Sequence, residues 1–138
     1  MNKILPVILA AVLSSYSYAD NKNDRYVLQN LNQDFITCGV FYSLSSSGAQ
    51  KAKDAPKAKL FSEIAMKYYK ESFDISKIIN MSDEAVEAAA ELTMKNMGRE
   101  MKNDFINYSI IINKYGRFCK NLLEDPDSRL DYWIKKIK

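Results

Sequence analysis

From Val27 onwards apolar residues recur every three or four positions, with polar residues between them. That period belongs to amphipathic helices rather than to strands. One stretch stands out, Asp104 to Glu124, where Phe105, Tyr108, Ile112, Tyr115, Cys119 and Leu122 fall on one stripe. It is the most apolar segment after the leader-like first residues. The pattern makes it the inner helix of a small all-α domain.

Taken in order, the chain offers a first helix from about Arg25 to Ser45, with Leu28, Leu31, Phe35, Cys38 and Tyr42 along its seam. Gly39 beside Cys38 lowers helix propensity, and its missing side chain would let a neighbouring helix approach. Ser45-Ser46-Ser47-Gly48 reads as a stop, with Gly48 in the left-handed conformation that often follows a helix. Ala49 to Ala55 would be a connector. Pro56 suits the first turn of a second helix, which runs to about Ile79 with Phe61, Ile64, Ala65, Tyr68, Ile75 and Ile79 on its apolar face. Asn80-Met81-Ser82 is a turn, and Ser82 followed by Asp83 and Glu84 makes a good helix start. Val86, Ala90, Met94, Met97 and Met101 then carry a third stripe.

This third stripe joins the stripe of Phe105 to Leu122 without a break in phase. Periodicity alone therefore gives one helix of about 40 residues, roughly 60 Å long. The cysteines argue against that rod. If Cys38 and Cys119 are bonded, their Cα atoms lie within ~7 Å, and an unbroken rod would hold them far apart. A reversal is expected between Gly98 and Gly116, first at Asn103-Asp104 and next at Asn113 to Gly116. Asp125 and Pro126 then open a short last helix, with Leu130, Trp133, Ile134 and Ile137 on one face. The expected fold is an antiparallel helical bundle of about four helices plus a short C-terminal helix, with one disulfide.

The start of the chain changes the picture. Lys3, the apolar run Ile4 to Leu13 and the small-residue site Ser17-Tyr18-Ala19 have the layout of a secretory signal peptide. Residues 1–19 are expected to be removed, leaving 20–138 as a single helical domain. The apolar run is about half of what a membrane-spanning helix needs, which favours a signal peptide over an anchor. No other segment is long and apolar enough, so no transmembrane segment is expected after cleavage. The expected location is the periplasm or the exterior, where two lone cysteines are read most simply as a structural bridge.

Composition excludes more than it assigns. The 138 residues contain no histidine, and the formal charge is only +3. Histidine-based triads are ruled out, no glycine-rich phosphate loop is present, and the charge falls short of a nucleic-acid-binding surface. Glu84, Glu87 and Glu91 share a helical face that would suit a hard cation, yet the helix dipole alone accounts for them. Glu63, Glu71 and Asp74 have lysines around them and read as surface ion pairs. No catalytic residue, metal or cofactor is expected, and nothing marks the chain as an enzyme.

Aromatic residues carry what functional signal there is. Tyr69 falls off the stripe of its helix, while Tyr132 and Trp133 stand beside Lys135 and Lys136 near the C-terminus. Amphipathic rings favour binding surfaces, so these five residues form the candidate surface. The leading expectation is an exported protein that binds another macromolecule, a protein or envelope component, as adaptor, inhibitor or accessory subunit. The alternative is association with the envelope or a membrane surface through the basic, amphipathic last helix. For Trp133 the expectation is docking on the bundle.

Overall fold

A computed structural model describes residues 22–138; the expected leader and its cleavage point lie outside them. The described chain forms α1 (Lys22–Lys51), α2 (Ala55–Ile78), α3 (Asp83–Glu100), a 3-10 turn (Phe105–Asn107), α4 (Tyr108–Ile111), a π-helical segment (Ile112–Gly116), α5 (Arg117–Glu124) and α6 (Pro126–Lys136). The elements α4, π segment and α5 follow one another as a single rod. Among the described residues there is no strand, and the all-α bundle with its one disulfide is as expected.

The centre of the bundle is α1, and not the segment Asp104 to Glu124 that the apolar pattern favours. Helices α2, α3 and α6 and the π segment all pack against α1. Val27, Leu28, Leu31, Phe35, Ile36, Cys38, Val40 and Phe41 are all buried, so the middle of this helix is covered on several sides. Asn32 is buried there too, and accepts a 2.6 Å hydrogen bond from Ser72 Oγ on α2. A buried amide without such a partner would be costly.

The serine run does not stop α1. Ser45 Oγ and Ser47 Oγ donate back to the carbonyls of Phe41 and Ser43, and Ser46 Oγ crosses to the Ala58 carbonyl at 2.7 Å. Hydroxyls satisfied in this way let serine sit inside a helix. Gly48 is not a left-handed terminator either: a Cβ at Gly48 would lie 3.3 Å from the Phe105 ring, and no described glycine has a positive φ. The left-handed residue of this turn is Lys53, with φ 58°. The expected connector shrinks accordingly to the few residues before α2, whose N-cap is Asp54, accepting from Lys57 N.

The long stripe does reverse at the first expected place. Lys102 and Asn103 both have φ 55°, and Asp104 then caps the 3-10 turn by accepting from Ile106 N. The second candidate, Asn113 to Gly116, bends nothing back; it lies in the π segment. Its effect is on phase. Ile111 is fully buried whereas Ile112, on the expected stripe, is 44% exposed. Eight residues of α-helix would carry Cys119 about 80° past Ile111, and the wider π turn takes part of that rotation back. Lys114 Nζ and Tyr115 Oη, both in the π segment, donate to Glu100 Oε1 at the end of α3 at 2.9 and 2.8 Å.

Cys38 and Cys119 are bonded, with Cα atoms 5.3 Å apart, and fasten α5 to α1. Around them Tyr68 stacks on Tyr42 and leans on Phe35, and the Tyr68 hydroxyl donates to the Cys119 carbonyl. Burial holds the Tyr68 phenol far above its ordinary pKa, so it stays a donor. Of the three methionines on the third stripe, Met97 and Met101 are buried and Met94 is exposed.

Candidate binding surface

Local sequence sets the last helix. Asp125 accepts from Ser128 N as N-cap, and Pro126 opens the first turn. Leu130 is then buried, while Trp133, Ile134 and Ile137 pack against the core at partial exposure. Trp133 is docked on the bundle.

One acidic side chain fixes this docking. Asp34, half-buried on α1, accepts from Arg129 Nε at 2.7 Å, from Arg129 Nη2 at 3.2 Å and from the indole Nε1 of Trp133 at 2.6 Å. Arg129 and Trp133 stand four apart on α6 and so share a face. The fork geometry gives Arg129 a single orientation. Its guanidinium lies 4.2 Å from the Tyr132 ring centre, 4.8 Å from that of Trp133 and 4.9 Å from that of Phe118. Tyr26 closes the far side of the indole edge-on, at 6.4 Å.

Beside this cluster lies an open cleft of about 460 Å³ between α5 and α6. Phe118 and Tyr132 are its aromatic walls, and Asn121, Ser128 and Arg129 supply hydrogen-bonding groups along it. Tyr132 is 40% exposed and stands edge-on to Trp133 at 5.0 Å. Lys136 Nζ sits over the Tyr132 ring, 5.3 Å from its centre. Lys135 is exposed and contributes charge to the same helix end.

Four of the five candidate residues thus share α6, with Tyr132 in contact with both Trp133 and Lys136. Tyr69 belongs elsewhere. It is packed between α2 and α1, with its hydroxyl 3.3 Å from Ser43 Oγ and its ring over Gly39. A Cβ on Gly39 would fall 2.8 Å from Tyr69 Cε1, so the close approach expected at Gly39 is made by a ring. Burial raises the Tyr69 phenol above its ordinary pKa, and the Ser43 contact only partly offsets this.

Asp34, Arg129 and Phe118 were missed in the sequence. An acidic residue on a wetted flank of the first helix carries no local mark of its partner, and an arginine in the first turns of a basic helix carries none either. Of the carboxylates noted earlier, Glu91 pairs with Lys95 at 2.7 Å, Asp74 with Lys70 at 2.8 Å and Glu63 with Lys59 at 3.9 Å. Glu71 is not the expected surface ion pair but is buried on α2. Among the described residues no group of three or more His, Cys, Asp or Glu side chains is arranged to hold a metal. Compared with protein-family models, with curated proteins and with solved structures, the chain matches none.

Proposed function

We propose that this is an exported, non-enzymatic helical protein that binds a partner protein through the α5–α6 face, as adaptor, inhibitor or accessory subunit. One observation carries the reading: Asp34 clamps Arg129 and Trp133, and this leaves Tyr132 projecting beside a ready-made cleft. Tryptophan, tyrosine and arginine are the residues in which binding energy concentrates at protein interfaces. Rings held in place beforehand lose little conformational entropy on binding. Export is supported by the leader-like first residues and by a buried disulfide of the kind that persists in oxidising compartments.

The alternative, contact with the envelope through α6 itself, draws on Lys135 and Lys136. It is the weaker reading, because Trp133, Ile134 and Ile137 turn their apolar side to the bundle and leave that helix few apolar groups to insert.

The test is retention of envelope components on immobilised protein, comparing wild type with Tyr132→Ala and Tyr69→Ala. A component held by wild type and by Tyr69→Ala but released by Tyr132→Ala supports the proposal. Equal retention by Tyr132→Ala, or no retention by wild type, sinks it.

A further inference from the structure

The opposite end of the bundle carries a second surface. The C-terminus of α1, the start of α2 and the reversal after α3 meet there, because Phe105 packs on Gly48 and lies 4.3 Å from Lys51 Nζ. Ile106 follows Phe105 on the tight 3-10 turn and is 84% exposed, the most exposed of the large apolar side chains among the described residues. Phe105 turns in and Ile106 turns out, so the turn holds an aliphatic tip away from the bundle.

Lysines surround that tip. Lys51, Lys53 and Lys102 are exposed on the two turns. Lys57 stands at the start of α2 and pairs with Asp54 at 3.1 Å. Three acids stand at this end as well: Asp54 pairs with Lys57, Glu100 pairs with Lys114, and Asp104 keeps its charge while capping Ile106 N. Lys53, Lys102 and Asn103 all hold left-handed backbone angles, which reverse the chain tightly at both turns. Next to the tip is a cleft of about 220 Å³, walled by Ala49, Ala52, Phe61 and Phe105, with the Lys57–Asp54 ion pair on its rim.

An apolar tip flanked by exposed lysines on both turns, beside a largely apolar cleft with an ion pair at its mouth, matches one kind of surface. Anionic lipid offers negative headgroups at the level of the lysines and hydrocarbon just beneath, at the level of Ile106. An acidic protein would satisfy the lysines and leave Ile106 and the cleft without a counterpart. We infer that this end of the bundle seats on an anionic phospholipid surface, with the Ile106 turn entering the headgroup layer. The geometry is independent of the α5–α6 face. A protein seated this way would present that face away from its seat.

The experiment is co-sedimentation of the processed protein, free of its leader, with vesicles of mixed phosphatidylcholine and phosphatidylglycerol or of phosphatidylcholine alone. Binding is expected only to the anionic vesicles and should be reversed by high salt. Ile106→Ser should weaken it about tenfold, since apolar burial is lost while every charge is kept. The combined change Lys51→Gln, Lys53→Gln and Lys102→Gln should weaken it on the order of 100-fold, at about fivefold per lysine. Lys135→Gln with Lys136→Gln should leave it unchanged. Circular dichroism checks that each variant is folded. No binding to anionic vesicles overturns the inference. So does binding that Ile106→Ser leaves intact, which marks simple charge attraction, or binding lost through the α6 lysines. Loss of partner capture in Tyr132→Ala would leave this result untouched, so the two proposals fail separately.

Discussion

Asp34 and Trp133 stand 99 positions apart in the chain and meet at 2.6 Å, indole N–H to carboxylate. The same carboxylate holds Arg129, so one side chain on α1 places two on α6. Asp34→Ala leaves the guanidinium and the indole N–H without their acceptor in a partly buried site, and is expected to cost about 2–3 kcal/mol. Trp133→Ala should cost about 3 kcal/mol or more through lost packing. The two effects should add to less than their sum, since both release α6. Urea unfolding of the single and double variants measures this. Trp133 is the chain's single tryptophan, so a red shift of emission in Asp34→Ala would report the release directly.

The disulfide gives a second expectation. Closing a loop across the 81 positions between Cys38 and Cys119 is worth about 4.5 kcal/mol in the chain-entropy model, with measured values often lower. Reductant should lower the Tm of wild type and leave that of a Cys38→Ser, Cys119→Ser variant unchanged. Both cysteines are fully buried, so thiol labelling after reduction should proceed only as the fold opens.

At Gly39 the direction of an effect is expected to reverse with background. Gly39→Ala gains helix propensity, about 0.5–1 kcal/mol, but drives a methyl group into the Tyr69 ring. Overpacking costs typically 1–3 kcal/mol, so the net change in wild type should be destabilising. In a Tyr69→Ala background the obstacle is gone and Gly39→Ala should stabilise. Chemical denaturation of the four proteins decides this.

Glu71 sets a pH dependence. Its side chain is buried on α2 with Oε2 lacking a hydrogen-bond partner. Burial raises its pKa, and Lys70 offsets this only in part. A carboxyl whose folded pKa exceeds its unfolded value binds more protons when folded, so stability falls as pH rises from the unfolded value through the folded one. Glu71→Gln should therefore stabilise the protein at neutral pH. The gain should shrink toward zero once the pH drops below about 4. Urea midpoints of both proteins across this pH range measure it, and a pH-independent difference would contradict the assignment.

Features with local causes were legible before the structure. Pro56, Ser82 and Asp125-Pro126 act within a turn of themselves, and all mark helix starts. The reversal near Asn103 was legible for another reason: a covalent distance limit overruled periodicity. What escaped depended on distant partners. Ser45 to Ser47 look like a terminator until Ala58 and the preceding turn supply acceptors for their hydroxyls. Gly48 looks like a cap until Phe105 arrives beside it. The shift from Ile112 to Ile111 requires a π turn, whose hydrogen bonds leave no residue signature. Tyr132, Trp133, Lys135 and Lys136 were found together because they are neighbours in sequence. Tyr69 was misplaced among them because its partners, Ser43 and Gly39, are on another helix.

The span of the disulfide has a consequence for how the molecule tolerates cutting. The exposed turns at Lys53 and at Lys102-Asn103 both lie between Cys38 and Cys119, whereas the turn before Pro126 lies outside. Exposed turns are where proteases nick folded chains. A single cut in either of the first two turns leaves both fragments covalently joined, with the α1–α5 contact intact. A cut between Glu124 and Pro126 severs α6, which then stays in place only through its packing and Asp34. In a protease-rich compartment the core of the bundle would outlast a nick, and the Tyr132 face would be the first part shed.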